Sequence, residues 1–424
     1  MIARDTTVRE GKRAARRLGL VVLIGAALIG GAIVLRSQAP RTVVPPALAS
    51  VAVTAPASPN DELALLEYRA MVAPKNAGVA LALGQEYAEL NRLPEALAQF
   101  QRASRVAPGL LPARVGQGQV WLRLQRPGRA VEHFEWAVRR LPEHAELRLE
   151  LGAAYLSLRD ANSGLRHLRE AVKLTPESPE AYRALASGYL AIFSYERATE
   201  AAQRAVELEP EVVENWSVLG SVHLNNDRFP EAEQALRRAL QLKPEDPTAN
   251  VLLARTLAGA DPTPASDREI QALLARALTT DPFHAEALQL LGRHYLEQDQ
   301  LDLAAATLRR ARERYPEVPQ VTLLLGQALV RRGDAEEGRR LIAAAQAQID
   351  QTVDFRGLEF QAARNPNPNV QMRLARMYMQ QRYYDSAVHL LRKALRQTPD
   401  DPALKQTYQE ALAGATQGES GVKP

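Results

Sequence analysis

Arg255, Arg293 and Arg376 stand at matching places in three segments of the C-terminal half of the chain, and Arg183 lies in an earlier segment. A guanidinium is a planar fork that grips carboxylates through paired hydrogen bonds and stacks on aromatic faces, so arginines so placed could hold an acidic group. They could equally be solvated cations paired with nearby glutamates such as Glu286 and Glu297. Both readings stay open on sequence alone. Little else in the chain suits chemistry. There is no cysteine, which excludes disulfides, thiolate zinc sites, cysteine nucleophiles and acylated lipoprotein anchors. The seven histidines, at 133, 144, 167, 223, 284, 294 and 389, include no close helical pair of the kind a metal site needs. No glycine-rich phosphate loop and no nucleophile elbow is present, so the sequence suggests neither a cofactor nor an enzyme.

The elements that must position these residues follow a cadence of 34 residues. Gly84, Tyr87, Ala96, Phe100, Ala103 and Pro108 set it, and Gly118, Trp121, Ala130, Phe134, Ala137 and Pro142 restate it one period later. It continues through Gly152, Ala186 and Gly220, slips by four residues before Asp281-Pro282, and resumes at Gly292, Gly326 and Ala375. Within each period, apolar residues recur at offsets of three and four in two blocks, which predicts two short amphipathic helices. Prolines such as Pro94 suit a first helical turn, and Pro108, Pro142, Pro176, Pro210 and Pro244 end the second helix. His223 takes the aromatic place of its period and reads as a packed core residue.

A 34-residue period with this set of recurring small, aromatic and apolar places resembles the tetratricopeptide repeat family. The resemblance covers about three quarters of the chain and implies an all-α, right-handed α-solenoid of about nine helix-turn-helix units. Units 1 to 8 are expected over residues 77–350, with a four-residue insertion in 247–284, and unit 9 over 368–401. A capping half-repeat is expected at 61–76, an irregular segment at 351–367 that reads as an elongated or extra helix or else as a degenerate repeat, a capping helix at 402–414 and a disordered tail at 415–424. In the slipped unit, Ser266 to Glu269 reads as a capping box opening the second helix.

The resemblance also implies that the first helices line a concave groove for a protein or peptide ligand. The partner-binding residues it implies are Gln85, Gln119, Arg183, Ser187, Ser221, Arg255, Arg293, Gln327 and Arg376, with Ser217 and Gln289 among their neighbours. Amides, hydroxyls and aliphatics dominate the N-terminal part and arginines the C-terminal part, so an acidic group is expected toward the C-terminal end. Some family members clamp C-terminal carboxylates with lysine and asparagine at set places. Serine, glutamine or aliphatics stand at most of those places here, which argues against binding of chaperone tails.

Ahead of the repeats, Leu18 to Leu35 form an uncharged apolar run, close to the ~20 residues that span a bilayer. Six Lys or Arg within 1–17 precede it, so residues 1–17 are expected as a cytoplasmic tail, 18–35 as a single transmembrane signal anchor, and the repeats outside the cytoplasm. Export after cleavage near Ala47-Leu48-Ala49 is the alternative. The proline- and alanine-rich residues 36–60 read as a tether. The net charge of +4 resides entirely in 1–17, and the remaining charges balance. No polycationic surface is left for nucleic acid. The expected function is a membrane-anchored interaction scaffold for assembly, secretion or folding of envelope components, or else a non-catalytic accessory subunit of an envelope polysaccharide or glycosyl-transfer system. Oligomeric state is not legible.

Overall fold

The computed structural model describes residues 59–417 apart from 261–263 and 365–366. The expected transmembrane segment at 18–35, its basic tail and most of the tether lie outside the described residues. No described helix is long and apolar enough to cross a membrane.

The described residues are helical throughout and contain no strand. One compact unit joins residues up to Leu174 with residues from Asn367 onward. It holds α1 (Pro59–Val72), the pairs α2 (Ala77–Glu89) and α3 (Leu93–Val106), α4 (Leu111–Arg123) and α5 (Pro127–Arg140), and α6 (Ala145–Ser157) and α7 (Ala161–Leu174). The second compact unit runs from Thr175 to Pro366. Its pairs are α8 (Pro179–Ala191) and α9 (Tyr195–Leu208), α10 (Val213–Asn225) and α11 (Phe229–Leu242), α12 (Pro247–Gly259) and α13 (Pro264–Thr280), α14 (Ala285–Glu297) and α15 (Leu301–Arg314), and α16 (Pro319–Arg332) and α17 (Ala335–Arg364). The chain then returns to the first unit with α18 (Pro368–Gln380), α19 (Tyr384–Gln397) and α20 (Pro402–Gln417).

Each pair closes through the places that set the cadence. A Cβ added to Gly118 would meet the Phe134 ring at 2.8 Å, and one added to Gly292 would meet Leu308 Cγ at 2.5 Å. Phe134 and Leu308 are fully buried, as are Ala137 and Ala311 one turn on. The glycine thus lets the first helix ride directly on the bulky residue of the second.

The turn inside each pair has a second signature that the sequence reading did not find. Asn91, Gln125, Arg159, Phe193, Asp227, Asp299 and Arg382 all carry positive φ between 55° and 63°, and Gly333 has φ 111°. At each, the following amide donates back to the carbonyl of the aromatic place: Arg92 N to Tyr87 O at 2.8 Å, Arg126 N to Trp121 O at 2.8 Å, Gln300 N to Tyr295 O at 2.8 Å. This closing bond satisfies a helix-end carbonyl and turns the chain into the second helix. One glycine serves the whole series, so most turns accept the left-handed cost, and composition gave no hint of them.

Side chains then strap consecutive pairs together. In equivalent places, Arg123 donates to Ala88 O and Asn91 Oδ1, while Arg331 donates to Leu296 O and Asp299 Oδ1. Tyr87 Oη donates to Glu67 at 2.6 Å, and Tyr155 Oη donates to Glu135 at 2.5 Å. Burial, then the Glu67 hydrogen bond, pushes the Tyr87 phenol up to about 12. First helices are capped at a recurring place: by Asn76 on Gly78 N and Val79 N, Ser178 on Ala181 N, and Asp246 on Ala249 N. His144 and His284 do the same through Nδ1, so two of the seven histidines serve as caps.

Three segments sharpen or alter the sequence expectation. The second helix of the slipped unit already runs from Pro264, which puts Ser266 inside its first turn rather than at its cap; proline is well suited to that entry. In the irregular segment, 351–367, the helix α17 runs on without a break to Arg364, as the reading of an elongated helix expects. Loss of the cadence there removes the partner places while leaving the helical spacing of Phe355 and Leu358, both buried. The last helix extends to Gln417 and so includes the start of the expected tail.

Candidate functional site

The nine residues expected to line a groove fall into two groups. The first group binds the neighbouring repeat. Gln119 Nε2 donates to Glu150 Oε1 at 2.9 Å, Arg183 Nη1 to Asn215 Oδ1 at 3.0 Å, and Arg255 Nη1 to Glu286 Oε1 at 2.7 Å. Each bond runs from the first helix of one pair to the first helix of the next. Arg255 and Glu286 are only 6% and 15% exposed as side chains, so this pair is an internal strut. Ser187 Oγ turns back to the Arg183 carbonyl, and Ser221 is buried against Asn225.

The second group is available. Gln85, Gln327 and Arg376 are exposed, and Arg293 is half-buried. Among the described residues Arg293 has no hydrogen-bond or ion-pair partner; burial pushes its guanidinium down, and the field of Glu297 only partly compensates. One turn before it, Gln289 is 4% exposed and its Nε2 has no partner. Ser217 Oγ is likewise buried without one. Unpaired donors on buried groups cost about 1–3 kcal/mol each, and a native chain that keeps them usually supplies the partner from elsewhere.

Glu150 adds a titrating strut. Burial pushes its carboxyl up, and the Gln119 amide only partly opposes this. Because the folded state holds this proton more tightly than the unfolded chain, stability contributed here is present below the unfolded carboxyl value and falls as pH rises above it. Glu150→Gln keeps the shape and the bond to Gln119 while removing the buried charge. It is expected to raise stability at pH 7.5 by about 1 kcal/mol and to flatten the pH dependence of the urea midpoint between about pH 4.5 and 7.5. An unchanged slope would show that Glu150 is hydrated.

A cluster that the sequence did not reveal lies in the first compact unit. Asp160, between α6 and α7, takes His389 Nε2 at 3.0 Å and the Lys393 ammonium, both from α19. Burial would push the Asp160 carboxyl up, but the His389 and Lys393 contacts and the Ser163 hydroxyl hold it well below the usual range. Arg126 donates to Asp385 at 3.3 Å and to the Ala415 carbonyl, and Arg392 reaches Glu132 at 3.4 Å. The Arg159 guanidinium lies 5.3 Å from the Tyr383 ring centre, and His389 meets Tyr155 edge-on at 5.7 Å. A cavity of about 360 Å³ lies among these groups, lined by Arg129, Arg166, Arg392, Arg396 and Glu135 among others. The partners sit more than 220 residues apart in sequence, where no local pattern could connect them. Among the described residues no group of three His, Asp or Glu side chains is placed to hold a metal ion.

A family model described as the Cilia and flagella-associated protein 70 C-terminal domain matches residues 34–318, more than half of the chain. Tetratricopeptide repeat models match residues 290–352 and 368–411. No curated protein matches the chain. Among solved structures, a tetratricopeptide repeat protein of Parabacteroides merdae is 15% identical with TM-score 0.50, over 60% of this chain and 98% of that chain. A thermophilic repeat protein of Thermus thermophilus is 24% identical with TM-score 0.40, over 43% of this chain and 100% of that chain. At such identities the likeness concerns the fold alone. The family-model matches, over more than half of the chain, show that the chain belongs to the tetratricopeptide repeat family.

Proposed function

We propose that this chain is a non-enzymatic scaffold whose first helices take a protein segment bearing acidic groups, with Arg293 as the principal anchor. The reading rests on one observation: Arg293 is a partly desolvated cation without a counter-ion, one turn from the partnerless Gln289 amide. A carboxylate would satisfy the Arg293 guanidinium with charge-assisted bonds. Arg255, engaged by Glu286, is a strut in this reading, and Arg376, exposed on α18, is a separate cation. Residues 18–35 would hold the scaffold at a membrane, with the repeats on the extracytoplasmic side.

The test uses a fluorescent deca-glutamate peptide and its deca-glutamine counterpart, titrated against the full chain by anisotropy. Tighter binding of the acidic peptide is expected, with a loss of about tenfold in Arg293→Glu, the scale of one charge-assisted bond. Equal binding of the acidic peptide to wild type and Arg293→Glu, both folded, would remove Arg293 from the site. With the tenfold loss in hand, crosslinking from position 293, read by mass spectrometry, identifies the natural partner.

A further inference from the structure

We propose that the contact of the last repeat with the second and third repeats is a reversible electrostatic clasp, with Asp160 as its keystone. The helices of the last repeat, α18 to α20, are built from apolar packing of their own: Leu374, Tyr378, Ala387, Leu391, Ala394, Leu404 and Ala411 are each at most 4% exposed. The apolar cluster beneath α5 and α6 draws all its members from residues 111–158 and includes none from the last repeat. Beside Val131, Val388 and the edge-on contact of Tyr155 with His389, what joins the two is chiefly charge. Arg126 meets Asp385, Arg392 meets Glu132, and Asp160 takes both His389 and Lys393. Protein interiors leave few voids larger than a water, whereas this contact leaves a cleft of about 360 Å³ that opens in part to solvent. It therefore has the character of an apposition of two prebuilt surfaces rather than of a continuous core.

Its charge balance makes the contact conditional. Arg126, Arg129 and Arg166 stand on one side, and Arg392, Lys393 and Arg396 on the other, with His389 among the latter. The acids that separate these cations are Glu132, Glu135 and Asp160 on the first side and Asp385 on the second. Asp160 is 11% exposed and is the group that binds two α19 side chains at once. Without its charge, Lys393 and His389 would face the cations of the opposite wall. The exposed pairs, Arg392 with Glu132 at 43% and 47%, are of the kind that salt screens. The last repeat should therefore undock as an intact module when salt rises or Asp160 is neutralised.

The absence of cysteine allows a clean test on the full chain. Spin labels at Glu143→Cys and Asp400→Cys, both exposed places outside the clasp, report the separation by pulsed electron resonance. At ~50 mM salt a single short-distance population is expected; near 1 M salt, where the screening length falls to about 3 Å, a longer population should appear. Asp160→Asn should lower the docked-to-undocked ratio by about tenfold or more at low salt, with helix content by circular dichroism unchanged. A locked reference is available, because a Cβ added to Gly128 would lie 3.0 Å from Asp385 Cβ, so a small outward shift of either backbone brings the pair into the roughly 3.5–4.5 Å that a disulfide spans. In Gly128→Cys/Asp385→Cys, oxidised before labels are introduced by an orthogonal chemistry, the distance should no longer respond to salt. An unchanged distribution in Asp160→Asn, a loss of helix in that variant, or a salt response that survives the disulfide would each overturn the clasp.

Discussion

Glu286→Ala is expected to cost about 3–5 kcal/mol, far more than the removal of an ordinary surface ion pair, because it strands the Arg255 guanidinium in a site it cannot leave. Arg255 is 5% exposed and sits on a helix whose neighbours Asn250, Val251, Leu253, Ala254 and Thr256 are each no more than 1% exposed. Its Nη1 bond to Glu286 is 2.7 Å long, and Glu286 lies in the first turn of α14, where the helix dipole also favours an acid. The double change Arg255→Met/Glu286→Leu removes both charges with little change in volume and is expected to be neutral or stabilising. Repeat arrays unfold partly by units, so the measurement is urea denaturation combined with hydrogen exchange. Protection should fall first in α12 to α14 of Glu286→Ala. A loss of under about 1 kcal/mol would mean that the pair is solvated after all. The contrast between the single and double changes separates a strut from a binding residue, and it explains why an acidic ligand has no claim on Arg255.

The sequence made the array legible because repetition multiplies weak signals. Gly84 beside Tyr87 says little by itself, but the same small and aromatic places recurring through Gly118, Gly152, Gly220 and Gly292 define a pair of helices and the distance between them. The turns were not legible because left-handed backbone is usually announced by glycine, and here Asn91, Gln125, Arg159, Phe193, Asp227, Asp299 and Arg382 adopt it instead. What fixes them is the bond back to the carbonyl of the aromatic place, a backbone requirement that any side chain can meet at some cost.

The candidate site was legible only as a list of places. Gln119 and Arg255 occupy the place of Arg293, and Arg183 the place one turn earlier, yet each finds its partner in the next repeat, at Glu150, Glu286 and Asn215. Arg293 differs by what is missing from its surroundings, and the acid nearby in sequence, Glu297, influences its charge without pairing with it. Whether an arginine is strut or anchor thus depends on the residue about 31 places further along, which a reading confined to one repeat does not weigh. The Asp160 cluster is a harder case of the same kind. Its partners, His389 and Lys393, are brought to it by the return of the chain to the first compact unit, and nothing in the local sequence of either segment marks them.

The contact that sets the helix spacing predicts a coupling between two otherwise costly substitutions. Leu236 is fully buried, and a Cβ added to Gly220 would lie 2.5 Å from its Cγ. Leu236→Ala is expected to cost about 2–5 kcal/mol through the lost contacts and the cavity left behind. Gly220→Ala is expected to cost about 1–3 kcal/mol, because overpacking outweighs the better helix propensity of alanine. Combined, each removes the other's cause: the new methyl enters the space the leucine vacates. The double variant should therefore be more stable than the sum of the single effects by about 1–3 kcal/mol, as neighbours in contact couple on that scale. The chain already uses this arrangement, since Ala186 and Ala202 stand at the same two places in the α8–α9 pair and both are fully buried. Ala375 opposite Leu391, both also buried, shows that alanine is not forbidden at the first place; the penalty belongs to the close approach of α10 and α11. Additivity within about 0.5 kcal/mol in a urea double-mutant cycle would show that the two helices move apart freely, and the glycine would then have to owe its place to something other than spacing.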